Sequence, residues 1–361
     1  MELPVITPKI QSFLRGDFAR QDERLEAVLA VLDEKNVAED WHKHGTFKDH
    51  LTGVYRMLSL WDQPKDVCLC GLLHSVYSNE YVDLALFEAG KGRDHLKRLV
   101  GPETEELIFT FCTMARTQFT IELLAAAEPV RTGMTLRRST DGSIVQLSAE
   151  QVGKFLVVSL ADLGEQLFGW QDEVMSGYPY LQRLSAVEHW SAAFWPGPMR
   201  PSGWMPSLLS QLARHVPFLP VKTPPIFDDC TAVISDADSS AATALYWQVA
   251  MQNLPLISMG RTKEVLEKTV SLNPWLPEPY LLLAQIGLLA GNYDIAERNA
   301  ARGLQLLIDW GTSWDKRVAW SGWVAWARIL LQRAAAKDWP KTLTEHNNLG
   351  LVVAPQREAA E

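Results

Sequence analysis

Three ionisable side chains stand out because each falls on a segment with apolar periodicity. His50 and His74 lie 24 positions apart on consecutive helix-like stretches, and Asp162 interrupts the apolar run FLVVSLADLG. Buried helices rarely carry such groups without partners, because a polar or charged group loses its hydration on burial. Two imidazoles and a carboxylate converging on one point make the donor set of a divalent transition-metal site. The alternative for the same residues is a hydrogen-bonded core triad without an ion.

The segments around them must do the positioning. In DWHKHGTFKDHLTGVYRMLSLW, Leu51, Val54, Leu58 and Trp61 mark one helical face, and His50 borders it. Pro64 with Lys65 and Asp66 opens the next helix, DVCLCGLLHSVYS, where Val67, Cys70, Gly71 and His74 recur at helical spacing. A short amphipathic helix follows over Arg93–Leu99. Another starts at Pro102 with Glu103, Glu105 and Glu106 in its first turn, where the helix dipole favours acids. Between Met134 and Leu147 the period changes, and Thr140-Asp141-Gly142 between TLRR and SIVQL predicts a β-hairpin. Helical period then returns, with Val152, Phe155, Ser159 and Asp162 on one face.

Composition narrows the function classes. The chain is 47% hydrophobic and 21% charged, as a folded globular protein rather than a disordered one. A net charge of −9 without any block of Lys and Arg disfavours a nucleic-acid partner. Four cysteines, Cys68, Cys70, Cys112 and Cys230, are too few and too irregular for a disulfide framework, and fit reduced thiols in the cytoplasm. The first residues show no signal or transit pattern, and no apolar run is long enough to span a bilayer, so no membrane partner is expected.

Three regions are expected: residues 20–193 as a helical metal-binding domain, 194–238 as a Pro- and Trp-rich connector with one short helix over Ser207–His215, and 239–340 as helical repeats. Trp190, Trp195 and Trp204 lie at or near the connector and favour packing over tethering. In PEPYLLLAQIGLLAGNYDIAERNAARGLQL, large and small residues (Tyr280, Leu283, Ala284, Gly291, Tyr293, Ala296, Gly303) alternate as two interlocking antiparallel helices require. That stretch resembles the tetratricopeptide repeat. Tyr246 and Ala250 stand in matching places one repeat earlier, and WDKRVAWSGWVAWARILLQRAAA reads as a further helix pair. Its tryptophans, Trp314, Trp320, Trp323 and Trp326, are expected to pack repeat against repeat rather than to cage a ligand. The tail after Lys341 is expected to fray.

Roughly residues 40–170 resemble the HD superfamily of helical metal-dependent phosphohydrolases, and within it the hydrolase domain of the RelA/SpoT alarmone enzymes. His50 followed by GLLHSVYSNE is similar to the first histidine and the "LLHD" helix, LKRLVGPETEELIFTF to the helices beneath the site, and FLVVSLADLGEQ to the "LADR" helix. The resemblance implies His50, His74 and Asp162 as metal ligands. It departs at Ser75, where the family has its namesake aspartate, so an anionic ligand is replaced by a neutral hydroxyl. His44 or His42 is the candidate to make up the loss. Asn79 and Glu80 only partly mirror the family's acidic pair.

The overall expectation is an all-α protein: an HD-like domain with a small β-hairpin insertion, followed by a tetratricopeptide-like helical domain. The resemblance implies metal-dependent hydrolysis of a small anionic, phosphorylated or nucleotide-like substrate through metal-activated water, with one ion, manganese or iron. Glu80 is the candidate base and Arg116 the candidate for gripping the anion. Arg137 and Arg138 invite a phosphate too, but adjacent strand residues face opposite sides. Cys68 and Cys70 read as core. Two other functions remain open: an iron-dependent oxygenase of the same superfamily, and a non-catalytic protein that binds a protein partner through its repeats.

Overall fold

The computed structural model describes residues 3–42, 45–82, 86–87, 92–166, 205–251 and 258–350. It is predominantly α-helical, with two small antiparallel hairpins among these residues. Helices α1 (Pro8–Arg15) and α2 (Leu25–Glu34) precede a two-stranded turn, β1 (Trp41–His42) against β2 (Gly45–Thr46). Helix α3 (Phe47–Leu60) starts from this turn. Thr46 and Asp49 close a reciprocal capping box at its N-terminus, which fixes the first turn and with it His50.

Helix α4 (Lys65–Leu72) packs on α3, and Gly71 makes the approach possible: a Cβ there would meet Leu58 at 2.2 Å. The helix stops at Leu72, so His74 stands in the turn after it rather than on the helix as its spacing predicts. Helices α5 (Arg93–Val100) and α6 (Pro102–Thr113) follow, and α6 packs against α4. Helix α7 begins at Arg116 and runs to Ala125. The predicted hairpin is present as β3 (Met134–Arg137) paired with β4 (Ile144–Leu147), with Gly142 at φ +70° in its turn. It clamps the α6–α7 junction: Ala115 N–H donates to Arg137 O at 2.8 Å, and Ser139 N–H donates to Thr113 O at 2.8 Å. The clamp fixes where Arg116 enters α7.

Helix α8 (Ala149–Gln166) is buried along nearly its whole circumference, against α3 and α4. A helix buried on nearly all sides is a central one. Residues 167–204, including Trp190, Trp195 and Trp204, lie outside the described residues. From 205 on, the expected connector holds more helix than its prolines suggest: α9 (Met205–Ala213), a short 3₁₀ turn at Val216–Phe218, and α10 (Pro225–Asp229). Proline is compatible with a helix start, and Pro217 and Pro225 both sit in first turns.

Four longer helices follow: α11 (Asp236–Met251), α12 (Met259–Leu272), α13 (Pro277–Leu289) and α14 (Tyr293–Trp310), each packed on the next. Gly303 lets α13 and α14 close up, since a Cβ there would meet Leu281 at 2.5 Å. The stretch after Trp314 holds one long helix, α15 (Trp320–Ala335), where the sequence predicts a pair; residues 311–319 form a turn-rich link. Asp315 there accepts from the Trp323 indole N–H through its carbonyl, at 2.8 Å. The tail carries the short helix α16 (Leu343–Asn347), capped by Thr342 and Glu345.

One hydrophobic core runs from α2 through α3 and α10 to α14. Phe227 of α10 packs between Trp61 and Trp310, with ring centroids 5.5 and 5.9 Å away. The Trp61 indole N–H donates to Asp309 O at 2.8 Å, and Arg56 Nε to Gly311 O at 2.7 Å. Gly311, at φ +70°, lies so close to α3 that a Cβ would meet the Met57 backbone at 3.1 Å. No helix among the described residues is long and apolar enough to cross a membrane.

Candidate metal centre

His50, His74 and Asp162 meet although they come from α3, the turn after α4, and α8. One ligand atom from each lies within 4.8 Å of the others, and all three residues are buried. His50 Nε2 is 3.3 Å from His74 Nε2 and 3.2 Å from Asp162 Oδ1; His74 Nε2 is 3.6 Å from the same oxygen. The imidazole rings stand nearly perpendicular, at 87°.

The outer nitrogens fix the tautomers. His74 Nδ1 donates to Gly71 O at 2.7 Å, which leaves its Nε2 as a lone pair facing the cluster. His50 Nδ1 donates to Glu165 Oε2 at 2.7 Å. An imidazole held from behind by a carboxylate or carbonyl, with its other nitrogen aimed at a shared point, is the usual outer arrangement of a metal-ligating histidine. Glu165 was not singled out by the sequence reading. Its signal was its position three residues after Asp162 on the same helix, where side chains share a face. Gly53, one turn after His50, makes room for it: a Cβ at 53 would meet Glu165 Cγ at 2.7 Å.

Without an ion, protons can balance the cluster. Burial works against a charged His50, but hydrogen bonds to Asp162 and Glu165 and their charges overcome it and hold its pKa up at about 9. Burial pushes His74 down to about 4, so it is the neutral ring. Burial also opposes charge on Asp162, yet its cationic surroundings, Arg116 among them, keep it well below the usual carboxylate range.

Arg116 donates to Asp162 Oδ2 at 2.5 Å, and Gln166 to Asp162 Oδ1 at 2.6 Å. The buried guanidinium lies over the rings of Tyr81 and Phe111, 5.3 and 4.8 Å from their centroids. His50, His74, Asp162, Arg116, Gln166 and Tyr81 border a cavity of about 400 Å³, whose wall also includes Ser75, Asn79, Thr120 and Ser159, with Phe47, Met205 and Leu208 in its apolar part. Ser75 is buried, and its hydroxyl accepts from Asn79 at 2.9 Å.

The other sequence candidates fall as follows. His42 lines the cavity, with its ring 4.6 Å from that of His50, but is not among the converging donors. His44 lies outside the described residues. Glu80, expected as a base, is exposed and accepts the Thr117 N–H at 2.8 Å, at the N-terminus of α7. A carboxylate is stabilised there by unpaired backbone donors, and this keeps it off the cavity wall. Arg138 is held by Thr113 and Phe109, and Arg137 donates to Gly142 O at 3.3 Å, so both serve the hairpin. All four cysteines are buried and unbridged, with Cys68 and Cys70 in the core.

Residues 31–116 match a family described as a domain of unknown function (DUF6817). The matched stretch contains His50, His74 and Arg116; Asp162 and Glu165 lie beyond it. No curated protein and no solved structure matches the chain.

Proposed function

We propose that His50, His74 and Asp162 hold one divalent transition-metal ion, manganese or iron, and that the surrounding cavity hydrolyses a small phosphorylated or nucleotide-like substrate. This is the chemistry implied by the HD-superfamily resemblance. The observation that carries it is the pair of imidazoles, each backed at Nδ1 by an acceptor and each turned through Nε2 toward one carboxylate oxygen. The donor set fits an ion: bonds of about 2.1 Å put neighbouring ligands about 3.0–3.4 Å apart, close to the separations of 3.2, 3.3 and 3.6 Å.

When bound, the ion supplies Lewis acidity and lowers the pKa of a water molecule. The chain supplies the rest. Arg116 spends one N–H on Asp162 and, lying against the rings of Tyr81 and Phe111, has further donors for a substrate oxyanion. Asn79 and Ser75 add neutral donors and acceptors to the wall. His42 takes the proton-handling role first expected of Glu80, because it is a titratable side chain of the cavity wall outside the donor set. Buried, unbridged thiols support a cytoplasmic protein, and the net charge of −9 supports a role without nucleic acid.

A second reading has an observation of its own. Arg116 already neutralises Asp162, and a protonated His50 fits between Asp162 and Glu165, so the cluster is satisfied by protons alone. That favours a non-catalytic protein that binds a partner through its C-terminal helices.

Elemental analysis separates the two. The purified full chain should carry about one manganese or iron per molecule, and His74→Ala should carry almost none, since ligand removal takes away a large part of the binding energy. Equal, near-zero metal in both, after incubation with either ion, would leave the non-catalytic reading.

A further inference from the structure

A second cavity lies behind the first, in the seam between α3 and the link that follows α14. It has a volume of about 300 Å³, the lower end of small-molecule sites, and its lining joins Thr52, Arg56, Thr312, Ser313, Lys316 and Trp320 with the carboxylates of Asp49 and Glu165. Two of its walls are cations with no carboxylate partner among the described residues. Arg56 donates through Nε to Gly311 O at 2.7 Å and lies over the Trp320 ring, 5.0 Å from its centroid. Among the described residues, Lys316 donates to the Thr312 hydroxyl.

The two carboxylates of the lining already accept hydrogen bonds from other groups. Asp49 accepts from the Thr46 backbone and hydroxyl at the start of α3, and Glu165 accepts from His50. Holding two partly buried cations side by side, with the nearby Glu165 carboxylate already hydrogen-bonded to His50, costs desolvation and mutual repulsion. Burial and the nearby Arg56 push Lys316 down to about 8, against the opposing charges of Glu165 and Glu278. An anion between the two side chains would relieve both costs.

We propose that this seam cavity binds the phosphate group of a small phosphorylated metabolite, held by the Arg56 guanidinium, the Lys316 ammonium and the hydroxyls of Thr312 and Ser313. Arginine and lysine together supply the forked and point-charge donors that a phosphate dianion needs. The site is built from both ends of the chain, so its ligand would bridge the N-terminal helices and the C-terminal ones. Glu165 lines this cavity and holds His50 in the other. The proposal does not depend on a metal at His50.

Inorganic phosphate is the probe, titrated into the full chain against chloride at equal ionic strength, with thermal midpoint and equilibrium dialysis as readouts. The wild-type midpoint should rise with phosphate up to about 10 mM, because a ligand that binds only the folded state stabilises it by mass action. Lys316→Gln and Arg56→Lys should each weaken binding about tenfold, the scale of a lost charge-assisted bond. Lys316→Gln keeps a polar partner for Thr312, and dialysis reads binding directly if Arg56→Lys is less stable. Lys222→Gln, at an exposed lysine paired with Asp62 and outside this cavity, should leave the response intact. No midpoint rise and no bound phosphate in the wild type would overturn the proposal. So would a response lost in Arg116→Gln but kept in Lys316→Gln, which would move the phosphate to the first cavity.

Discussion

Glu165 and His50 are joined by a 2.7 Å hydrogen bond between Oε2 and Nδ1, and that bond turns His50 Nε2 toward Asp162. The bond exists because Gly53 leaves room for the glutamate on the surface of α3. Gly53→Ala should push Glu165 aside and lower metal affinity about 10- to 100-fold, the range seen when groups supporting a ligand are altered. Glu165→Gln should do the same with less effect on packing. Competition with a fluorescent chelator measures both; unchanged affinity in the two variants would remove Glu165 from the site.

Ser75→Asp tests the family resemblance directly. Ser75 lines the cavity beside His74 and already accepts from Asn79, so an aspartate there has both room and a hydrogen-bond donor. Manganese affinity should rise about tenfold or more, since a carboxylate is a far better ligand for a hard ion than a hydroxyl. If the variant folds but binds metal no better than wild type, position 75 is not the lost ligand position.

Glu278 gives the stability of the C-terminal helices a pH dependence. Burial, with the charge of Asp315, raises its carboxyl to about 8, although the backbone N–H groups of Trp314 and Asp315 pull the other way. The folded chain therefore keeps a proton that the unfolded chain releases above its ordinary value of 4.5. Its contribution to stability is complete below that value and declines as pH rises toward about 8. Glu278→Gln keeps the oxygen acceptor and cannot ionise. Its melting temperature relative to wild type should climb between pH 5 and pH 8, on the order of a few degrees; parallel curves would refute the assignment.

Trp61→Phe removes the indole donor that reaches Asp309 O across the seam while keeping much of the ring in the aromatic cluster. Urea unfolding should show a loss of about 1–3 kcal/mol, the cost of leaving a buried carbonyl unpaired. Far-UV and tryptophan signals should still report one coincident transition, because the core is continuous from α2 to the turn after α14.

The helical class, the 134–147 hairpin and the three converging residues were legible because each leaves a local trace: a period, a turn signal, an ionisable group among apolar ones. His74 was found although its setting was misjudged. Apolar spacing continues past Leu72, but the chain leaves the helix there, and periodicity does not register where hydrogen bonding stops. Glu80 misled because an acid near a motif looks the same in sequence whether it faces a cavity or caps a helix. Arg56 and Lys316 are 260 positions apart, and no local pattern announces that the turn after α14 will lie on α3. The single helix in place of a pair after Trp314 has a comparable origin: Asp315 and Arg317 pair within a turn, and Pro-free, Trp-rich sequence does not reveal that break.

Asp162 and Glu165 ride on one rigid rod. Each residue along α8 advances about 1.5 Å and turns about 100°, so a slip of one position would withdraw both carboxylates from His50 together. What prevents the slip is not in the cavity: it is the grip of Phe155, Leu156 and Leu160, all fully buried, on the neighbouring helices. The alignment of the two acids with the imidazole is therefore a gauge of how α8 is seated. A methyl group lost near its middle would register at His50 as misalignment, some two turns from the vacancy.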